Sequence, residues 1–544
     1  MSNRCGRREF LRAAGVGIAG ALALSADRAL GQADREHDLV LKGGTVVDGT
    51  GAPPRAADVA VARGLIAAVG QGLAGKTQVD CSGWLVCPGF VDIHTHLDLA
   101  CWPTVVDIPM PPLERSYPAD YYRIMLEQGI TTALVGNCGY SAPDIAAHLS
   151  AVEADGPALN YATLVGLTTL RGAAAEGQDA MAGLRTALES GAFGLSVNLA
   201  TGSSADAPVG ELIAPARLLG AHDGAVLAVH RRTEDRDLEK STAEALTLGR
   251  MSGAPLQISH MRARTAPAWP QAQAAYDLVS AAIAAGLDVA ADTYAHPGGG
   301  TTLAWSFLPP EYWSGDPVER LKDKRRDPAL IEYIAQRIAT IDPTMYYPRC
   351  LTWEGTFDAD LPAVLVSRLK PGRSPILMEL IVDVIIEDTA RVPGTDVPSM
   401  GINLLEMQPD DIAAALKHPF MMIASDAGGP PSGDLRSLFP WCFANCPRVL
   451  SLLAGEGKAL TYEEAVRKMS AMPADRLGLK DRGRIAEGAA ADLVVVNPQK
   501  VRDTSTPTAM ARPSGIERVY VNGELVVEAG RYNSARAGKV LRRG

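Results

Sequence analysis

The feature of this chain that most constrains its fold is a regular alternation of short apolar runs with amphipathic stretches between residues 91 and 426. The apolar runs have the length of buried strands, and the stretches between them, such as 207–221 and 239–251, carry helical spacing. This alternation predicts a parallel sheet wrapped by helices. We place eight strands, which end near His96, Cys138, Leu167, Val197, His230, His260, Asp292 and Asp426. Eight such units over about 385 residues predict an α/β fold built on a (β/α)8 TIM-like barrel.

Both ends of the chain carry a different pattern. Residues 38–90 contain short β-runs broken by turns, with the turn sequence Asp48-Gly49-Thr50-Gly51 between two of them. A β-rich segment returns near 491–527, where Asn522-Gly523 is typical of a hairpin turn. We therefore expect residues 34–90 and 477–544 to pair into one small β-sandwich domain, beside a barrel formed by residues 91–476.

The distance between the last two strands is unusually long. The stretch from Asp292 to Asp426 is far too long for a single crossover connection. We therefore expect an inserted, partly helical subdomain at about residues 312–402, between strands 7 and 8 and near the site.

The composition excludes several classes of protein. Hydrophobic residues make up 47% of the 544 residues and charged residues 21%, as in ordinary globular proteins. The formal net charge is -10 and no basic tract occurs, which argues against nucleic acid as a partner. A chain of this length exceeds one hydrophobic core, so two or more structural units are expected.

The first 33 residues resemble a targeting segment. Arg7-Arg8-Glu9-Phe10-Leu11 precedes an uncharged Ala/Gly/Leu stretch over 13–26, as in twin-arginine signals. The alternative, an N-terminal membrane helix, is disfavoured because the run is shorter and richer in glycine than the ~20 apolar residues of a span. We expect residues 1–33 to be a signal peptide read by the twin-arginine export machinery. After cleavage the protein would be periplasmic or secreted, without a stable membrane anchor.

Two histidines follow the first strand of the barrel. His94 and His96 are one residue apart, so their side chains point to the same side and suit two ligands of one metal ion. Asp98 follows on the same alternating face, as a partner of a ligand or as a substrate contact. A histidine pair alone is a weak signal, and two satisfied histidines on the rim are the alternative.

Three further residues with metal-binding side chains end other strands. His230 closes the apolar run 225–229, His260 closes 256–259, and Cys138 ends the β-rich run 131–137. Each one alone would more often be a core or rim residue. Because all of them fall at the edge where His94 and His96 lie, the joint pattern favours a metal site with a thiolate ligand.

Asp426 ends the eighth strand. A carboxylate at this position faces the metal site, where it can ligate an ion or move a proton as a general base and acid. A helix-capping or salt-bridged aspartate is the structural alternative.

With these positions in hand, the chain resembles the N-acyl-D-amino-acid deacylases, or D-aminoacylases, of the amidohydrolase superfamily. The resemblance runs over nearly everything after the signal and rests on several motifs: Asp48-Gly49-Thr50-Gly51, Pro88-Gly89-Phe90-Val91-Asp92 with His94 and His96, Val135-Gly136-Asn137-Cys138-Gly139, Gly191-Ala192-Phe193-Gly194-Leu195-Ser196, Gln257-Ile258-Ser259-His260, Ser425-Asp426, Asp481-Arg482-Gly483-Arg484-Ile485 and Ala491-Asp492-Leu493-Val494-Val495.

The resemblance implies a metal centre and a mechanism. It implies one zinc held tightly by Cys138, His230 and His260, and a second, weaker position near His94 and His96 with Asp426 as general base and then acid. Zinc would polarise the amide carbonyl and lower the pKa of a bound water. Two-metal members of the superfamily commonly use a bridging carboxylated lysine, but no lysine lies between Lys76 and Lys240 here, and Cys138 is its natural replacement.

Departures from the family concern the substrate pocket. Where the family has a lysine two residues after the last histidine ligand, this chain has Arg262, and Tyr294-Ala295-His296 stands where Tyr-Pro-Tyr is usual. The resemblance implies that Arg262, Tyr294 and His296 help to hold the substrate carboxylate. Arginine keeps the charge but presents a planar fork.

We therefore expect zinc-dependent hydrolysis of a small linear amide, in the first place an N-acyl-D-amino acid. One alternative is another amidohydrolase activity with an altered pocket, such as that of a cyclic amidase, lactonase or dipeptidase. An alternative of another class is a non-catalytic periplasmic binding protein, which would usually have lost its ligands.

Overall fold

The computed structural model describes residues 37–98, 119–175, 177–200, 204, 207–222, 224–235, 237–264, 267–302, 307–309, 312, 317–340, 346–352, 355–358, 376–389, 401–405, 407–428, 440–505 and 511–544. The segment expected to be a signal, residues 1–33, lies outside them. Within the described ranges, no helix is both long enough and apolar enough to span a membrane.

The described chain begins with five strands: β1 (His37–Val46), β2 (Arg55–Ala62), β3 (Leu65–Gly70), β4 (Gly75–Asp80) and β5 (Leu85–Pro88). Strand β1 runs through two glycines, Gly43 and Gly44, without interruption. A register shift between Leu41 and Gly44 forms a bulge, and Gly43 there has a φ of 66°. The glycine pair therefore bends one strand and does not divide it.

The central part alternates strands with helices. Its strands are β6 (Phe90–Asp92), β7 (Thr95–His96), β8 (Ile130–Val135), β9 (Asn160–Thr163), β10 (Val165–Gly166), β11 (Gly194–Asn198), β12 (Val226–His230), β13 (Leu256–Ile258) and β14 (Val289–Thr293). Its helices are α1 (Ala119–Leu126), α2 (Ile145–Asp155), α3 (Leu167–Ala175), α4 (Ala180–Glu189), α5 (Val209–Leu219), α6 (Leu238–Ser252) and α7 (Ala272–Ala284). The helices expected within 207–221 and 239–251 are α5 and α6.

The stretch between the seventh and eighth strand positions forms its own small unit. It contains β15 (Gly298–Thr302), α8 (Pro317–Lys322), α9 (Pro328–Thr340), β16 (Tyr346–Thr352), β17 (Gly355–Asp358), α10 (Leu377–Thr389) and β18 (Gly401–Leu405). The strands pair antiparallel in the order β15-β18-β16-β17. The unit, from Gly298 to Leu405, extends somewhat beyond the range of about 312–402 that the length of the gap predicts. Apolar side chains of its helices pack with Phe307 in a separate core.

The chain then returns through α11 (Pro409–Lys417), β19 (Met421–Ile423), β20 (Ala427–Gly428), α12 (Pro440–Arg448), a π-helical turn at Val449–Leu453, α13 (Tyr462–Met469) and α14 (Ala471–Arg476). It ends in β21 (Leu493–Val496), β22 (Ile516–Val521), β23 (Glu524–Glu528) and β24 (Arg531–Tyr532). The expected Asn522-Gly523 hairpin joins β22 and β23, with a φ of 49° at Asn522 and 85° at Gly523.

Several helices begin where the sequence supplies a cap. Asp144 and Asp179 accept backbone N–H groups at the starts of α2 and α4. Thr461 and Glu464 form a reciprocal capping box at the start of α13. Such caps satisfy backbone donors that the first turn of a helix leaves unpaired.

The central strands are all parallel. Strands β6, β8 and β9 form one sheet, β10, β11, β12, β13, β14 and β19 form a second, and β20 pairs with β7. Nearly all of their residues are buried, as is usual for parallel strands, whose sheets are covered on both faces. Parallel strands have their carboxyl ends at the same edge. Side chains that follow these strands are therefore brought to one side of the molecule.

Strands from both ends of the described chain form one nine-stranded sheet, in the order β24-β23-β22-β21-β5-β1-β2-β3 with β4 beside β1. Asp492 connects this sheet to the central strands. It is buried, pairs with Arg482, and accepts hydrogen bonds from Asn160 Nδ2 at 2.9 Å and Asn522 N at 2.7 Å. The domain limits and the sandwich arrangement stay predictions.

The Asp492→Ala substitution should lower the free energy of unfolding by about 3 kcal/mol, because it leaves the buried guanidinium of Arg482 with only the exposed carboxylate of Asp481, 3.9 Å away, as a counter-charge. Urea denaturation followed by circular dichroism measures this change. As a matched control, Lys76→Ala removes one partner of the solvent-exposed Lys76–Asp38 pair and should leave the midpoint unchanged. Equal midpoints for both variants would contradict the prediction.

Candidate metal centre and active site

The six predicted ligand residues meet at the carboxyl edge of the central strands. They come from different strand ends, namely His94 and His96 after β6, Cys138 after β8, His230 at the end of β12, His260 after β13 and Asp426 after β19. His94, Cys138 and His260 are buried, and the other three are partly buried. The parallel strands therefore bring together residues that are up to 332 positions apart in sequence (426 − 94).

Cys138 lies at the centre of a cluster of imidazoles. Its Sγ is 3.4 Å from His94 Nε2, 3.4 Å from His230 Nδ1 and 3.5 Å from His260 Nε2. His230 Nδ1 and His260 Nε2 are 3.0 Å apart. One sulfur and three nitrogens thus face a common point.

A second group of donors shares His94 with the first. Asp426 Oδ1 lies 3.2 Å from His96 Nε2 and 3.5 Å from His94 Nε2. The two groups, His94 with Cys138 and His260, and His94 with His96 and Asp426, each have donor atoms close enough to hold one ion. The arrangement can accommodate two neighbouring metal positions.

Two carboxylates orient the imidazoles from behind. Asp292 Oδ1 lies 3.2 Å from His94 Nδ1, and Glu234 Oε1 lies 2.6 Å from His260 Nδ1. An Nδ1–H that donates to a carboxylate leaves Nε2 with a lone pair for a metal. Glu234 therefore holds His260 in the tautomer that can ligate, and the nearby Asp292 carboxylate favours the same state of His94.

No role was predicted from the sequence for these two carboxylates. Asp292 had a detectable signal, because it ends the seventh strand at the same edge as the other site residues. Glu234 lies four residues past His230 in a loop, and no periodicity marks it. Only the folded loop brings it between His260 and Arg262, whose Nε donates to Glu234 Oε2 at 2.8 Å.

Three site residues have unusual backbone angles. Cys138, His260 and Asp426 have φ values of 52°, 31° and 51°, in the left-handed region that residues other than glycine seldom adopt. Such strain persists only where the surroundings hold it, and it concentrates at functional sites. These angles turn side chains at strand ends toward the common point.

Gly136 permits the turn that carries Cys138. Its φ is 74°, and a Cβ at this position would lie 2.3 Å from the carbonyl oxygen of Leu164. Its N–H donates to Asp98 Oδ2 at 3.1 Å, so the predicted residue Asp98 braces the strand end that leads to Cys138.

The charges of the cluster favour the ligating forms of its acids. Burial alone would raise the pKa of the Cys138 thiol, but the charges of His94 and His230 hold it well below its usual range. Burial likewise opposes ionisation of Asp426, yet hydrogen bonding from His96 and the charge of His94 lower its pKa to about 2. Surroundings that stabilise positive charge beside a thiolate and a carboxylate also favour a bound cation.

The donor set fits zinc. Zinc prefers thiolate and imidazole ligands in tetrahedral geometry, with Zn–S of about 2.3 Å and Zn–N of about 2.0 Å. Two such ligands are separated by roughly 3.5 Å at a tetrahedral angle. The Cys138 Sγ distances to His94, His230 and His260 are 3.4 to 3.5 Å.

The predicted substrate residues occupy two environments. Arg262 is buried beside Glu234, with its guanidinium carbon 5.0 Å from the ring centroid of Tyr294. Tyr294 stacks on Trp441 at 5.3 Å with an interplanar angle of 6°. His296 lies against Asp503, its Nε2 3.2 Å from Oδ2, with its ring centroid 6.5 Å from that of Trp441, and burial lowers its pKa.

Comparisons with known proteins identify the family of the chain. A family model described as "Amidohydrolase family" matches residues 397–527. The chain is 33% identical to N-acyl-D-glutamate deacylase of Alcaligenes xylosoxydans xylosoxydans, over 93% of this chain and 96% of that protein. It is 30% identical to D-aminoacylase of the same organism, over 94% of this chain and 99% of that protein.

A solved structure has the same fold. N-acyl-D-glutamate deacylase of Bordetella bronchiseptica, complexed with zinc and a phosphonate inhibitor that mimics the tetrahedral intermediate, superposes with a TM-score of 0.72 at 29% identity. The match covers 93% of this chain and all of that one (100%). These comparisons confirm the resemblance seen in the motifs, and the chain belongs to the N-acyl-D-amino-acid deacylase family of the amidohydrolases.

Proposed function

We propose that this protein is a zinc-dependent deacylase that hydrolyses the linear amide bond of N-acyl-D-amino acids. The observation that carries the proposal is the cluster of Cys138, His230 and His260 next to His94, His96 and Asp426. Relatives that the chain matches over nearly its whole length are deacylases of this class.

Each residue of the cluster receives a role. Cys138, His230 and His260 hold one zinc tightly, and His94 and His96 serve a second, weaker position with Asp426. Bound zinc supplies a Lewis acid that polarises the amide carbonyl and lowers the pKa of water to about 7. Glu234 and Asp292 keep His260 and His94 in the ligating tautomer.

Asp426 moves the proton. Its low pKa, about 2, keeps the carboxylate ionised at neutral pH and able to accept a proton from the attacking water. The same Oδ1 then returns the proton to the leaving amine, whose departure as an anion would be very unfavourable. The reaction yields a carboxylate and a free amino acid.

Arg262 is the proposed partner of the substrate carboxylate. Its guanidinium is held by Glu234 and by the ring of Tyr294, so its orientation is fixed before substrate arrives. Tyr294 is itself held by its stack on Trp441. His296 and Asp98 support the site from behind, through Asp503 and through the N–H of Gly136.

Neither alternative, a non-catalytic binding protein or an amidohydrolase of another activity, is favoured. All six ligand side chains are present and meet, whereas a binding protein derived from an enzyme would usually have lost some of them. The absence of lysine between Lys76 and Lys240 also separates this chain from two-metal relatives that bridge their ions with a carboxylated lysine.

We also propose two features of architecture and location. The eight parallel strand positions close into a (β/α)8 barrel, which the pairing of β20 with β7 supports because it connects the last position to the first.

The twin-arginine sequence in residues 1–33 supports export to the periplasm or beyond.

The Asp426→Asn substitution should lower kcat by a factor of about 10³, because an amide cannot accept the proton from water. Steady-state hydrolysis of N-acetyl-D-amino acids measures the loss, and zinc content measured on the same sample shows whether the tight metal remains. Full activity in this variant would refute the mechanism.

The Cys138→Ala substitution should remove the tightly bound zinc, lowering its content from about one per chain to near zero after dialysis. Inductively coupled plasma mass spectrometry measures the metal. Cys81→Ala is the matched control, since Cys81 is also a buried thiol but lies between β4 and β5, in the core beside the nine-stranded sheet, where burial raises its pKa to about 12. Equal zinc contents in both variants would exclude the proposed ligand set.

The Arg262→Leu substitution should raise KM for N-acetyl-D-amino acids roughly thirtyfold, which corresponds to one charge-assisted contact of about 2 kcal/mol. The corresponding N-acetyl-D-amino amides lack the carboxylate, so their KM should change little. A comparable rise for both substrate series would mean that Arg262 acts through Glu234 and His260 and not on the substrate.

A further inference from the structure

We propose that Asn445 is a positioning residue for the reaction, because it fixes both the strand end that carries Asp426 and the loop that carries Tyr294. This inference rests on the proposed function in one respect, the role of Asp426. No feature of the sequence analysis pointed to Asn445, which lies in helix α12, outside the strand ends.

The Asn445 side chain binds two separate backbone segments. It is fully buried, its Nδ2 donates to the carbonyl oxygen of Ala424 at 2.8 Å, and its Oδ1 accepts the N–H of Ala295 at 2.8 Å. A carbonyl can only accept and an N–H can only donate, so the two contacts define the orientation of the amide. Ala424 precedes Asp426 by two residues, and Ala295 lies between Tyr294 and His296.

The contact with Ala424 belongs to a set that holds the backbone of Asp426. That residue has a φ of 51°, a strained conformation that its surroundings must maintain. Three successive residues are bound from outside their own strand: Ala424 O by Asn445, Ser425 N by the Asp92 carboxylate at 3.1 Å, and Asp426 N by the carbonyl of His94 at 2.9 Å. Asn445 supplies the side-chain donor of this set.

The contact with Ala295 is one of two that bind the backbone of this residue, which lies in the loop after β14. Arg448, on the same helix, donates from Nε to the carbonyl oxygen of Ala295 at 2.8 Å. Both backbone polar groups of Ala295 are therefore bound by side chains of α12. Trp441, one more residue of α12, stacks on the Tyr294 ring.

Helix α12 is interrupted just before Asn445. At Ala444, φ is −144° and ψ is 21°, so the helical path is interrupted immediately before Asn445. This break turns the Asn445 side chain toward the strands while Trp441, in the preceding turn, reaches Tyr294. One element thus connects the proton-transferring carboxylate with the substrate-binding loop.

The asparagine amide meets both demands at this place. It offers a donor and an acceptor side by side, whereas an ionised aspartate offers only acceptors and an aliphatic side chain offers neither. Asn445→Asp preserves the shape and the acceptor for Ala295 N but places an oxygen against the carbonyl of Ala424. It therefore disturbs mainly the strand that carries Asp426.

The test compares kinetic constants of variants in the full-length, zinc-loaded enzyme. Asn445→Asp should lower kcat roughly 10- to 100-fold, since a small displacement of a catalytic group has effects of this size, with KM within about threefold. Trp441→Leu removes the ring stack without touching Ala424, and should raise KM with a smaller change in kcat. Unchanged kcat in zinc-loaded, folded Asn445→Asp would overturn the inference.

A double-mutant cycle separates positioning from general damage. If Asn445 acts through Asp426, then adding Asn445→Asp to Asp426→Asn should not lower the residual rate further. A multiplicative loss in the double variant would overturn the inference. If Asp426→Asn alone is fully active, the proposed function fails and not merely the role of Asn445.

Two further variants keep the test decisive. Should the buried aspartate prevent folding, Asn445→Ser is used, which is too short to bind both partners and should show the same loss of kcat. Asn533→Asp is the matched control, because exposed Asn533 also donates to a carbonyl, Leu525 O at 2.8 Å, and accepts an N–H, from Ala535 at 2.9 Å. It should leave kcat and KM unchanged, and a loss equal to that of Asn445→Asp would overturn the inference.

Discussion

The site depends on how the negative charge of one buried thiolate, that of Cys138, is stabilised. Removing such an anion from water costs several kcal/mol unless nearby positive charge or hydrogen bonds replace the solvent. Around Cys138, three imidazoles within 3.5 Å provide this compensation. Carboxylates behind two of them, from Asp292 and Glu234, complete a shell in which each charge faces an opposite charge. A cation at the centre satisfies the same electrostatic demand, so the metal centre is built into the packing of the strand ends.

Holding that shell requires a strained backbone at three positions. Cys138, His260 and Asp426 have positive φ values, and each lies just past the end of a strand where hydrogen bonding along the sheet no longer fixes the chain. The neighbouring strands and helices supply the missing restraint. Asp92, through the N–H of His94 and of Ser425, connects the first and last strand positions directly. Rigid positioning of this kind lowers the reorganisation that catalysis would otherwise require.

Prediction from the sequence succeeded where a signal is periodic or local. The alternation of strands and helices, the residues at strand ends and the Asn522-Gly523 hairpin were all visible, because side-chain period and turn chemistry act over a few residues. Membership of the deacylase family was visible from motifs, and the comparisons confirm it. Glu234 and Asn445 were missed, since one lies in a loop and the other in a helix, and neither position has a pattern that points toward a metal site.

The sequence by itself determined which side chains reach the carboxyl edge of the parallel strands, because each of them stands at or just after the end of a short apolar run that has the length of a buried strand. Tertiary structure alone decided how those side chains pair. His94 lies near both Cys138 and Asp426, His260 faces Glu234, and His296 binds Asp503 from the far end of the chain. These pairs depend on strand order, on left-handed residues at strand ends and on contacts across hundreds of residues, and local pattern carries no information about such contacts.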